Sequence, residues 1–471
     1  MTGKTPSPDV APLGRWLHSW IQPDGRVFGF HNHSVWGSNP YRWNDFTCGH
    51  STWASCLIPG LVHALNAQPN ADGQHLLETM VAFQTDSFQP DGNYRHVGFQ
   101  VGERLKVGLI HNAIANVSLT EAAWRGADLI SGNLRACIRD VYDRNLAWHG
   151  RANKGGVCNQ DYTRIWGKLL YFKAFDDRRW YDEVAEDIDC MLEHFHVPGV
   201  PDDDCEGTVR GPADPWILEP AEYYGLMIMP LILAAEIYGE ERYLDHAGAL
   251  CRHVARSKWT DTNGCVRFHR LYFKGAAGWE KVREPMLISG MGDTLEGIAD
   301  FLRLRPDEEL SGFLDECLQT YAHYQHPAGF FYPATGWQSE IDVAPSSAWG
   351  THDFRFLVKQ LGVGDDFWST FMKPDERTAV LIGDQAIWME RGANWTIQDH
   401  HSNDVFQLFG RKDRDRFGRD LSWFGGDDTL PDECRFPNPP SFFKGDDRIF
   451  PVEPLAEDVD VRVNAALPFV R

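Results

Sequence analysis

The chain has 471 residues, with 45 Lys and Arg against 67 Asp and Glu, a formal net charge of −22. Such a field repels phosphate backbones and anionic lipid surfaces, so nucleic acid and membrane are excluded as expected partners, while a local arginine remains free to bind an anionic sugar. Hydrophobic residues at 43% and aromatic residues at 13% fill a large core and exclude a disordered chain.

The opening MTGKTPSPDVAPLGRW lacks the apolar stretch of a signal peptide, and no run of about 18 apolar residues follows, so a cytoplasmic protein is expected unless a leader has been trimmed. Ten cysteines occur without any CxxC pair, and in a chain of this size they read as buried free thiols.

Turn-like stretches punctuate the chain: QPDGRVFGF (22–30), QPDGNYRHVGF (89–99), HGRANKGGV (149–157), VPDDDCEGTVR (200–210), TDTNGCVRF (260–268) and HPAGFFYP (326–333). Each places turn residues before a short aromatic or alternating run, the pattern of a small β-excursion. After each comes a helical segment, starting near 48, 103, 159, 219, 290 and 347 and therefore 55, 56, 60, 71 and 57 residues apart. These segments, EPAEYYGLMIMPLILAAEIYG among them, are apolar on most faces, whereas the helices between them, such as ERYLDHAGALCRHVARSKW, are apolar on one side only. A helix apolar on most faces must be surrounded, so the spacing predicts an all-α (α/α)6 toroid of six helical hairpins with short β-excursions over residues 14–375. A solenoid of helix pairs is the competing architecture, but its common repeats are shorter than about 60 residues. From 376 to 471 the periodicity weakens, and this stretch is expected as an irregular tail packing on the toroid.

In such a ring the six inner helices open at one mouth, where their unpaired N–H groups make the surface polar. The first mouth segment, YRWNDFTCGHSTW, offers Trp43, Asp45 and His50; the second, GFQVGERL, offers Gln100. The third, NQDYTRIWG, contributes Gln160, Asp161, Tyr162 and Arg164, and the fourth, DPWILEPAEYYG, contributes Trp216, Glu219, Glu222 and Tyr223. The fifth, SGMGDTLEG, places Asp293 just inside its helix, and the sixth, SAWGTHDFRF, supplies Trp349, His352 and Arg355. Each has a bland reading beside the functional one. Glu222, Asp161 and Asp293 fit helix-capping positions, and a lone histidine is usually a satisfied structural group. Glu219, held extended by the following proline, is a poor cap and is left to project into the cavity.

Rings interleaved with carboxylates and amides suit sugars, whose C–H faces pack on aromatics and whose hydroxyls pair with polar groups. Glycosidic cleavage takes two carboxyl groups, one kept protonated and one ionised, and Asp161 with a glutamate of the 219/222 pair is the expected pair. The candidate catalytic set is therefore Asp161, Glu219, Glu222, His50 and His352; the other mouth residues are candidate substrate contacts. The expected reaction releases a terminal sugar, uronic acids included, from an oligosaccharide, with no cofactor. A lyase is the alternative, supported by His50, His352, Tyr162, Tyr223 and Gln100, and a non-catalytic sugar-binding toroid is another. QDHHSND (398–404) has metal-like composition, but adjacent histidines diverge and no metal-binding spacing is present, so no metal is expected. Oligomeric state is left open.

The sixfold helical period, the DG excursions, NQDYTRIWGKLLYFKAF and SGMGDTLEGIADFL together resemble the six-hairpin glycosidase-like superfamily over residues 14 to 362. That resemblance implies the toroid fold and a relationship to unsaturated glucuronyl hydrolases, β-glucuronidases and toroidal polysaccharide lyases, with sugar epimerases as neighbours. The fifth mouth is similar to an RGxGW stretch of the unsaturated uronyl hydrolases but lacks its arginine and tryptophan, so only a glycosidase of this architecture is implied.

Overall fold

Two classes of helix alternate along the chain, as the two kinds of apolar patterning dictate. The computed structural model describes residues 7–407 except 22, 26, 33–45, 51–54, 89–91, 93, 95–108, 153–157, 193–196, 198–199, 201–206, 210–217, 220, 261–263, 269–270, 277, 283–285, 288–290, 326–328, 332–333, 336–346, 375–376, 383–384, 391–393 and 400–404. Helices α1 (Val10–His18), α2 (Leu57–Ala67), α3 (Ala71–Asp86), α4 (Leu109–Arg125), α5 (Gly132–Ala152), α6 (Cys158–Phe175) and α7 (Tyr181–Leu192) form the first half. Helices α8 (Gly225–Tyr238), α9 (Glu241–Arg256), α10 (Gly292–Leu304), α11 (Glu308–Tyr324), α12 (Ser347–Leu361) and the short α13 (Phe367–Phe371) form the second.

Helix α2 packs on α4, α4 on α6, α6 on α8, α8 on α10, α10 on α12, and α12 returns to α2, closing a ring of six. Outside it, α3, α5, α7, α9 and α11 each cover the inner helix that precedes them. Patterning explains the sorting. Helix α8 buries every residue from Gly225 to Leu231, whereas α9 buries the stripe Tyr243, Ala247, Leu250 and Val254 and exposes Glu241, Arg242 and Asp245. The sixth outer position is filled by α1, which packs on α12 and α13. Its His18 ring pairs with the Phe371 carbonyl at 2.7 Å, and Asp9 and Gln325 exchange two 2.7 Å hydrogen bonds, so the first described helix completes the last hairpin.

The excursions repeat one geometry. Ile21 bridges Val27, Phe88 bridges Tyr94, Gln325 bridges Phe331, and Thr260 pairs with Val266 across the antiparallel strands β3 (Lys258–Thr260) and β4 (Val266–Phe268). In each turn the fifth residue is a glycine with positive φ: Gly25, Gly92, Gly329 and Gly264. Only glycine adopts that backbone without strain, which is why the turn leading from an outer helix to the next inner one is visible in sequence.

Helices α2 and α8 are among those that begin later than the spacing predicts. Residues 46–50 form strand β2 (Phe46–His50), paired antiparallel with β1 (Phe28–Asn32) so that Phe28 faces His50, and α2 therefore starts at Leu57. Residues 221–223 make a 3-10 turn, and α8 starts at Gly225 with Tyr224 before it. The first part of the stretch expected as an irregular tail is ordered: β9 (Arg377–Ile382), β10 (Gln385–Glu390), β11 (Asn394–Asp399) and β12 (Val405–Gln407) form an antiparallel sheet in chain order. Residues 408–471 lie outside the described residues, as do His400, His401 and Asp404. Among the described residues no helix is long and apolar enough to cross a membrane.

Candidate active site

Side-chain caps occur on three of the outer helices, though not on α9, which begins at Glu240 without one. Outer helices α1, α3 and α11 begin with Asp9, Asn70 and Asp307, each accepting a backbone N–H of the first turn, while the inner helices α2, α8 and α10 begin at Cys56, Tyr224 and Met291 without a side-chain cap. The amides left over at the inner helix starts are therefore available to groups at the mouth.

Glu219 uses one of them. Its backbone N–H donates to the Val209 carbonyl and that of Leu218 donates to Tyr272, holding the segment extended between two neighbours. Its side chain reaches the start of α6, where Oε1 accepts the Asn159 N–H at 3.1 Å, and Oε2 is buried with no hydrogen-bond partner among the described residues. Burial pushes this carboxyl up to about 8 and the Glu222 charge pushes the same way, outweighing the Asn159 N–H that pulls it down. Glu219 thus holds a proton at neutral pH. Glu222 is buried in the 3-10 turn that precedes α8.

Asp161 is buried in the first turn of α6. Arg164 Nη2 lies 3.9 Å from Asp161 Oδ1 and 3.0 Å from Asp187 Oδ2 on α7. Arg164, expected to contact substrate, is instead a buried strut between Asp161 and the outer ring; six residues into α6, it starts about 9 Å below the helix end. Tyr162 is likewise not a rim residue, being wholly buried in the main hydrophobic core. Gln160 is half-buried beside them.

On the opposite side, His352 Nδ1 stands 2.7 Å from Asp293 Oδ2, both side chains buried. Burial works to lower the histidine, but the charge and hydrogen bond of Asp293, joined by Cys56, hold it well above the usual imidazole range. Trp349 lies 5.4 Å from the His352 ring and 6.5 Å from Tyr223, which links this pair to the 3-10 turn. Burial also raises the neighbouring Asp353 well above the carboxylate range, and Tyr321 donates to its Oδ1 at 2.7 Å.

Two glycines make the convergence possible. A Cβ on Gly225 would meet the Asp293 backbone at 2.1 Å, and one on Gly292 would meet the His352 carbonyl carbon at 2.6 Å. Between them Thr294 Oγ1 donates to the Ala221 carbonyl at 2.9 Å and accepts the Gly225 N–H at 3.0 Å. Backbone touches backbone at the starts of α8, α10 and α12, which draws Glu222, Tyr223, Asp293, His352 and Trp349 together.

Arg355 is a correction. Eight residues into α12, it starts about 12 Å below the helix end. Its Nε lies 2.9 Å from Glu296 Oε2, its Nη2 lies 2.9 Å from Glu121 Oε2, and its guanidinium stacks on Trp166. It is a hub of the barrel interior rather than a residue of the mouth. His50 is placed as the last residue of β2, its side chain outside the described residues; Trp43, Asp45, Gln100 and Trp216 lie outside them entirely. Asn159, Thr294 and Tyr321 were not singled out as site residues by sequence reasoning. The signal that was available is the period itself: Glu219 bonds a residue 60 positions earlier and His352 one 59 positions earlier.

No protein-family model matches the chain, and no curated protein matches it. Solved structures do. It is similar to a sugar epimerase from a ruminal bacterium (9% identity, TM-score 0.53, covering 75% of this chain and 96% of that one). It is also similar to a D-mannose isomerase (14%, 0.53, 74% and 95%) and to a cellobiose 2-epimerase from Bacillus thermoamylovorans B4167 (10%, 0.51, 74% and 95%). At these identities the likeness is one of fold, the six-hairpin (α/α)6 toroid.

Proposed function

We propose that the chain is a carbohydrate-active enzyme that hydrolyses the terminal glycosidic bond of an oligosaccharide, uronic acids included among the sugars released. The observation that carries this reading is Glu219: a carboxyl buried at the mouth, its Oε2 without a hydrogen-bond partner among the described residues and its proton affinity pushed up to about 8 by burial. Glu219 donates its proton to the glycosidic oxygen as the C–O bond breaks. Asp161, 3.9 Å from the Arg164 guanidinium, accepts a proton from the water whose oxygen adds to the anomeric carbon. Glu222 holds the Glu219 proton in place through its charge, and Tyr223 and Trp349 supply apolar faces for the sugar ring.

A panel of para-nitrophenyl glycosides and the matching disaccharides tests this. An activated aryl leaving group needs no acid, so Glu219→Gln is expected to keep aryl-glycoside cleavage while losing disaccharide cleavage by roughly 10²–10⁴-fold. Asp161→Asn is expected to lose both. Wild-type disaccharide cleavage by Glu219→Gln overturns the assignment.

The buried His352–Asp293 pair, 2.7 Å apart, supports a second reading, abstraction of a sugar C–H proton leading to elimination or epimerisation. It ranks second because Asp293 holds His352 in the charged form, a proton donor rather than a base at neutral pH. Deuterium entering the product carbon skeleton from heavy water, or an unsaturated product absorbing in the ultraviolet, selects it over hydrolysis.

A further inference from the structure

At the end of the ring opposite the mouth, the C-terminal turns of α4, α6, α8, α10 and α12 enclose a cavity of about 310 Å³. Arg355 forms its floor. That guanidinium is 2% exposed; its Nη2 donates to Glu296 Oε1 at 3.1 Å and lies 2.9 Å from Glu121 Oε2, while its Nε, 2.9 Å from Glu296 Oε2, makes no aligned hydrogen bond among the described residues. Lys359 stands beside it with Nζ 2.8 Å from Glu296 Oε1 and 2.5 Å from Asp300 Oδ2. Leu170, Met229, Ile232 and Leu233 make the wall, and Leu304, 54% exposed, stands at the rim.

The charges cancel. Arg125, Arg303, Arg355 and Lys359 stand against Glu121, Glu236, Asp300 and the floor's Glu296. An anion entering meets three lining carboxylates, and a cation meets four positive groups. A hydroxyl, which both donates and accepts, is satisfied by either sign. The indoles are not open for stacking, since Arg355 lies over Trp166 at 4.9 Å and Arg125 over Trp124 at 4.1 Å. Apolar contact is therefore left to the aliphatic wall, which suits the C–H face of a small ring. The volume sits at the lower end of ligand pockets, which begin at about 300 Å³. We propose that this chamber is a second binding site, for a neutral, hydroxyl-rich ligand of mono- to disaccharide size. It is separated from the mouth by the buried Arg355 cluster and stands whether or not Glu219 acts as an acid.

The full chain is titrated by calorimetry with glucose, methyl α-D-mannopyranoside and cellobiose, with glucuronate as the anionic control. Ile232→Trp fills the chamber, and Leu304→Trp narrows its rim from an exposed position should the first variant fail to fold. The expected result is saturable binding of at least one neutral sugar, weakened about tenfold or more in either folded variant, with turnover at the mouth unchanged. Absence of saturable binding of all three neutral sugars, neutral-sugar binding that both fills leave unchanged, or glucuronate binding that the fills abolish overturns the proposal.

Discussion

Arg355 Nη2 lies 2.9 Å from Glu121 Oε2 while its Nε lies 2.9 Å from Glu296 Oε2, so one guanidinium from α12 joins carboxylates from α4 and α10 inside the ring. Burial works to raise Glu121, but Arg355, with His63 and Arg125, outweighs it and holds the carboxyl well below its usual range. Arg355→Leu leaves two buried carboxylates without their main partner and is expected to cost about 3–5 kcal/mol. The sign with pH follows. The depressed Glu121 contributes its full stability above the usual carboxylate range and loses it progressively below, while in the variant the unpaired buried carboxyls take up protons as pH falls, so the deficit of the variant is expected to be larger at pH 7 than at pH 4. Thermal melts at the two pH values measure it.

Glu219 behaves in the opposite sense. Its folded value of about 8 lies above the ordinary 4.5, so the folded state keeps a proton that the unfolded chain releases, and its contribution to stability falls as pH rises from about 4.5 to about 8. Glu219→Gln, fixed in the neutral form, is expected to melt above the wild type at pH 9 and level with it at pH 4. In the active wild type the same ionisation is expected as an alkaline limb near pH 8 in the rate profile.

Gly225→Ala drives a methyl group into the Asp293 backbone at 2.1 Å, where neither side is a flexible side chain. We expect about 1–3 kcal/mol of destabilisation, as for overpacked sites, together with loss of turnover because α8 and α10 separate at the mouth. Gly239→Ala is the control. Its φ of +71° strains an alanine, but its Cβ meets open space at the far end of α8, so stability is expected to fall by about 1 kcal/mol with turnover kept.

Asp293→Asn removes the charge that holds His352 up. Burial, which pulls the imidazole down, is then the main remaining influence, and the ring is expected to titrate at a markedly lower pH, read from its carbon-bound proton shifts by NMR.

The ring was legible because its period is a packing rule. Residues one hairpin apart stand side by side: His63 bonds Glu121 58 positions on, Lys173 bonds Glu236 63 on, and Arg355 bonds Glu296 59 back. Depth along the helix was not legible. Arg164 and Arg355 follow mouth residues closely in sequence, yet each helical residue descends about 1.5 Å, enough to carry them out of the mouth and into buried ion pairs. Glu219 was legible for a local reason, the extended backbone before its helix. Its raised proton affinity was not, since that comes from burial beneath segments distant in sequence. The strands of 377–407 escaped because TIQDHHSND and its surroundings mix turn residues with short alternating runs, leaving no long apolar face to announce a sheet.

The guanidinium and carboxylates buried between the two ends also dictate traffic. A polymer cannot be threaded through this ring like rope through a pulley, so under the proposed hydrolysis the protein is expected to let go after every cut rather than slide along its chain. Whatever is released must leave by the door through which it came, and a departing sugar therefore competes with the next arrival.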